Sequence, residues 1–70
     1  MLRLGIYKHF KGTEYEVLGV AKHSETSEEF VIYKNLELGS QIWIRPLQMF
    51  IEELNRESYK GPRFYWIREK

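Results

Sequence analysis

The sequence predicts a small all-β domain, and three observations carry that prediction. Turn-forming residues recur roughly every 8–12 positions, the segments between them are rich in β-branched and aromatic residues, and one of those segments alternates cleanly in polarity. Such spacing belongs to a small barrel or sandwich.

Seventy residues make one domain, 1–70. A chain this short buries only about 60% of the surface its unfolded form exposes. It has no cysteine, which removes disulfides, thiolate nucleophiles, iron–sulfur clusters and cysteine-rich zinc sites, and which a reducing compartment permits. Stability therefore has to come from large side chains. Two Trp, five Tyr and four Phe bring the aromatic share to 16%, and each ring can bury roughly 150–250 Å².

Eleven basic and ten acidic residues leave a formal net charge of +1, so no global field of either sign exists. No apolar run approaches the roughly 18–20 residues that cross a bilayer, and Met1-Leu2-Arg3-Leu4-Gly5 lacks a signal-peptide core. A cytoplasmic domain without a membrane partner is the expectation.

The first strand is expected over Leu4 to Phe10, ending at Lys11-Gly12-Thr13. The second, Glu14 to Lys22, alternates as far as Val17 and then loses its pattern at Gly19, which suggests a bulge. His23 to Glu28 is a turn whose hydroxyls can satisfy local backbone groups. Thr26 and Glu29 have capping-box spacing, yet Phe30-Val31-Ile32-Tyr33 follows at once and favours a strand. After a turn at Leu36 to Ser40, Gln41-Ile42-Trp43-Ile44-Arg45 alternates; Ile42 and Ile44 are expected inward, with Trp43 and Arg45 on the opposite face.

From Pro46 the local evidence divides. Leu47, Phe50, Ile51 and Leu54 fall at helical spacing, which supports a helix of about three turns. The rival is one helical turn, Leu47 to Met49, followed by a strand from Phe50 paired with Arg63 to Arg68. The terminal Phe64-Tyr65-Trp66-Ile67 run is expected to close the core through Phe64, Trp66 and Ile67.

Lys8-His9-Phe10-Lys11-Gly12, Tyr15, Val17-Leu18-Gly19-Val20-Ala21, His23-Ser24-Glu25-Thr26, Tyr33, Trp43, Arg45-Pro46-Leu47-Gln48-Met49-Phe50, Glu52 and Pro62-Arg63-Phe64 together resemble a family of short bacterial proteins. That family is known only as domain of unknown function sixteen-fifty-three. The resemblance runs from about Gly5 to Ile67. It implies an SH3-like barrel of about five antiparallel strands with one short helical turn, and no established activity, substrate or cofactor. It also favours a hairpin after Met49-Phe50, although Asn55 to Gly61 departs from the usual pattern by lacking an obvious two-residue turn.

The candidate chemistry is sparse. His9 and His23 end successive strands, so a hairpin holds them far apart, and no HExxH-type spacing supports a metal. Turn histidines donating to a carbonyl or carboxylate are the simpler reading. His23, Ser24 and Glu25 suggest a hydrolytic triad in composition, but adjacent residues of an extended chain point to opposite faces. Glu25 has a plainer use as an ion-pair partner for Arg45 or Arg63.

Trp43 and Arg45 form the best candidate site. Two residues apart on one strand, they offer a stacking surface beside a forked cation, suited to phosphate, carboxylate or an unpaired base. Tyr7, Lys8, His9, Lys11, Tyr33 and Arg63 could extend it. If the strand were reversed, Trp43 would fill the core and the site would vanish. The leading expectation is a non-enzymatic binding module for nucleic acid or a nucleotide, with no cofactor. A protein-interaction or self-association module is the alternative, and a small hydrolase at His23-Ser24-Glu25 the second.

Overall fold

β-branched and aromatic runs become strands, and the turn residues between them become connections. The computed structural model describes residues 2–39 and 41–70. In chain order it holds β1 (Gly5–His9), β2 (Glu14–Lys22), β3 (Glu29–Asn35), β4 (Ile42–Pro46), a helical turn α1 (Leu47–Phe50), β5 (Glu53–Asn55), β6 (Lys60–Pro62) and β7 (Phe64–Arg68). Five strands form an antiparallel sheet in the order β4-β3-β2-β1-β7, and β5 pairs with β6 in a separate hairpin. The fold is all-β with one short helix.

Three hairpin connections share one device. Nδ1 of His9 accepts the Lys11 amide at 3.1 Å, Nδ1 of His23 accepts those of Glu25 and Thr26, and Oδ1 of Asn35 accepts those of Glu37 and Leu38. A side-chain acceptor at the start of a turn captures the amide two residues on, which otherwise has no partner. Both histidines therefore accept from the backbone rather than donate to it, the reverse of the expectation.

The bulge lies where Gly19 breaks the alternation: the β2–β3 register shifts between Val17 and Gly19. Val17 and Val20 are three positions apart and would face oppositely in a regular strand. The extra residue returns Val20 to the side of Val17, where it packs against the core.

That core comprises Tyr7, Val17, Val31, Tyr33, Phe50 and Phe64. Its rings show that the sheet curls. β3 and β7 are three strand spacings apart, about 14 Å in a flat sheet, yet the Tyr33 and Phe64 rings meet edge-on at 5.8 Å. Phe50 is the plug in the curl. It is 1% exposed, stacks on Phe64 at 4.1 Å and meets Tyr7 and Tyr33 edge-on.

Of the two readings after Pro46, the single helical turn holds, and the strand pairing expected to follow it changes. The helix is a single turn, closed by the Ile51 amide donating to the Leu47 carbonyl. The strand that follows pairs with Lys60–Pro62, whereas Phe64–Arg68 pairs with β1. Local pattern could not separate these partners because both stretches are extended.

The side chains of β4 also face opposite to the expectation. Trp43 pairs with buried Tyr33 and Arg45 with buried Val31, so both lie on the inner face. Ile42 and Ile44 point outward, 55% and 64% exposed. Register against β3 decides the matter, and β3 places Val31 and Tyr33 inside.

Candidate functional site

The inner face continues beyond the core toward β4, the sheet edge, where no further strand pairs among the described residues. Trp43 is consequently on the core side and still 48% exposed. With Tyr15, Tyr33 and Arg45 it lines an open hollow of about 220 Å³. The Tyr15 and Tyr33 rings meet edge-on at 5.3 Å, and Tyr15 meets Phe64 at 5.7 Å. Arg45 donates from Nε to the Tyr33 hydroxyl at 3.3 Å, and its guanidinium carbon lies 5.6 Å from the Phe64 ring centre. One weak hydrogen bond thus orients the guanidinium. Among the described residues no carboxylate pairs with it.

His9 packs on Phe64, the ring that Tyr15 and Arg45 also approach, edge-on at 4.9 Å. Burial holds its pKa below the ordinary histidine value, and the positive charges of Arg63, Arg45, Lys11 and Arg56 push it the same way. Arg63, Arg45, Lys11 and Arg56 thus gather near one imidazole, although the chain as a whole is nearly neutral.

On the outer face Glu16 pairs with Lys34 and Lys70, and Glu14 pairs with Arg68. Arg63 is tied differently: its Nη2 donates to Glu52 at 2.7 Å, its backbone amide donates to the Glu52 carbonyl, and its side chain is 17% exposed. It clamps the segment after α1 to the start of β7, and its buried Nε has no hydrogen-bond partner among the described residues.

The sequence-level candidates thus separate into three places. His9, Arg45 and Arg63 gather near Phe64, and Trp43 lines the hollow beside Arg45. Lys8 pairs in register with Glu14 and Tyr65 and lies on the outer face. His23 and Glu25 sit in the β2–β3 turn, separated from the His9 turn by the length of β2, about 26 Å. Glu25 pairs with neither arginine, since Arg63 takes Glu52 and Arg45 takes Tyr33. No group of three or more acidic or histidine side chains suited to a metal occurs among the described residues.

Tyr15 and Phe64 are the residues of this site that sequence reasoning missed. Tyr15 occupies an alternating strand, but its approach to Trp43 depends on the curl of the sheet. Phe64 was expected in the core; its place beneath Arg45 and His9 could not be read locally.

The fold and site define a small all-β domain with an aromatic and basic inner face left open at one sheet edge. The chain belongs to the family described as "Protein of unknown function (DUF1653)", whose model matches residues 5–66. It is similar to a crystal structure of a protein of that family from Bordetella bronchiseptica, with 31% sequence identity, 99% of this chain and 91% of that chain covered, and a TM-score of 0.86. No curated protein matches.

Proposed function

We propose that this domain is a non-enzymatic binding module for a ligand that joins a flat ring to an anionic group, the chemistry of a nucleotide unit. The observation that carries the reading is the Arg45 guanidinium, without an acidic partner, beside half-exposed Trp43 in a hollow walled by Tyr15 and Tyr33. Trp43 and the tyrosines supply stacking faces, and Arg45 supplies the donors that remain after its bond to Tyr33. A catalytic reading gains no support at His23, because its Nδ1 is engaged with the turn amides.

The test is an NMR titration with thymidine monophosphate, following the two indole N–H signals. Trp66 is an internal reference, since its Nε1 donates to the Leu4 carbonyl. The Trp43 signal should shift and the Trp66 signal should not. Arg45→Ala should weaken binding about tenfold, the scale of a charge-assisted hydrogen bond. A Trp43 signal unmoved at saturating nucleotide sinks the reading.

A second reading rests on Ile42 and Ile44, both exposed on the outer side of edge strand β4. A second copy adding antiparallel about Trp43 would set Ile42 against Ile44 of that copy, and apolar contact of this kind resists salt. Sedimentation velocity over a concentration series separates the readings. Association abolished by Ile44→Lys but indifferent to salt supports self-pairing, and a monomer at every concentration removes it.

A further inference from the structure

We infer that the Trp43–Arg45 hollow is one end of a longer track that accepts single-stranded nucleic acid, an inference that rests on the ring-plus-anion reading above. Phe64, buried at 5% exposed, lies beneath both ends, in contact with Arg45 at one and with His9 at the other. Beyond it the His9 ring lies 4.6 Å from Phe10, and Phe10 stacks with Tyr59 at 5.0 Å with an interplanar angle of 26°. Over Phe10 stand the Arg56 guanidinium at 5.2 Å and the Lys11 ammonium at 5.9 Å. Lys11 and Arg56 are exposed and, like Arg45, have no carboxylate in ion-pair contact among the described residues.

Ring and cation thus occur twice, once on β4 and once where the β1–β2 turn meets the β5–β6 hairpin, with His9 and Phe64 between them. Arg45, Lys11 and Arg56 all lie near His9, whose pKa is lowered first by burial and then by these cations. A mononucleotide can occupy one such unit. A polynucleotide repeats a flat base and a phosphate at every residue, which is the pattern a row of rings and cations matches. Single strands fit this row better than a duplex, whose bases are stacked on one another and closed to side-chain rings.

The experiment is a fluorescence titration with thymidine monophosphate, a thymidine tetranucleotide, a thymidine octanucleotide and an eight-base-pair duplex, each at several salt concentrations. Affinity should rise about tenfold or more from mononucleotide to tetranucleotide, since one further stacked base suffices for that gain. With three cations engaged, the slope of log affinity against log salt should be about −2 for the octanucleotide. The Lys11→Ala/Arg56→Ala pair, at exposed positions, should bring the slope toward about −0.7 while the Trp43 signal still responds. Equal affinity for mononucleotide and octanucleotide, an unchanged slope in the double variant, or a duplex binding as tightly as the single strand would overturn the track. In the first case binding at Trp43 leaves the simpler site reading standing; no response to any of the four ligands removes both.

Discussion

His9 joins turn geometry, the core and the basic face in one residue. Its Nδ1 must be unprotonated to accept the Lys11 amide, and burial followed by the neighbouring cations depresses its folded-state pKa. For a base with a depressed pKa the unfolded chain binds the proton first. Its stabilising contribution is therefore complete above the unfolded value of about 6.5 and is lost as pH falls from there through the folded value. Urea midpoints measured from pH 7.5 downward should fall more steeply in the wild type than in His9→Asn, whose amide oxygen can accept the same N–H at any pH; parallel curves would contradict this. Gly5 gives a steric counterpart. Its φ is +135°, and a Cβ there would lie 2.6 Å from Trp66 Nε1 and 2.7 Å from the Arg68 carbonyl oxygen. Gly5→Ala should cost about 1–3 kcal/mol from backbone strain alone, read from chemical denaturation.

Among the elements, α1 is too short to be stable by itself and exists through what it delivers. Pro46 cannot continue the β3–β4 ladder as a donor, the chain closes one helical turn, and Phe50 enters the curled sheet between Tyr7, Tyr33 and Phe64. Phe50→Ala should destabilise the protein by about 3–5 kcal/mol, a large share of the stability of so small a domain. The β5–β6 hairpin is attached differently. Its strands have three residues each, the Arg63–Glu52 pair closes its base, and the Phe10–Tyr59 stack holds it to the rest. Native-state hydrogen exchange should show the β5 and β6 amides opening at lower free energy than those of β2 and β3; equal protection would mean that the hairpin belongs to the main cooperative unit.

At the scale of the whole molecule, the curl of the sheet does two things together. It lets rings from β1, β2, β3, β7 and α1 share one core, and it leaves the inner side of β4 beyond that core. Because the ring contacts link the chain's middle to its end, loss of tertiary packing and loss of strand structure should coincide. Near-ultraviolet and far-ultraviolet circular dichroism should give superimposable urea transitions, the signature of two-state unfolding. The distribution of ion pairs belongs to this scale as well: the outer face engages Glu14 and Glu16 with cations, while Arg45, Lys11 and Arg56 have no carboxylate in ion-pair contact among the described residues.

The amino-acid sequence alone determined the all-β class, the β2 bulge at Gly19 and the pairing of Trp43 with Arg45 on one strand face, because each depends on neighbours within a few positions. Family membership was legible for a related reason, since motifs in a fixed order need no contacts to be recognised. Tertiary structure decided the rest. Isoleucine and tryptophan are both apolar, so alternation in β4 separates two faces without saying which is inside; the register with Tyr33 and Val31 makes that choice. The partners of Phe50, Glu52 and Phe64 lie distant in the chain, and no local pattern encodes which extended segment pairs with which. The clustering of cations has the same origin: Lys11 is close to His9 in the chain, but Arg45 of β4 and Arg56 of the β5–β6 hairpin are distant from it and approach it only through folding.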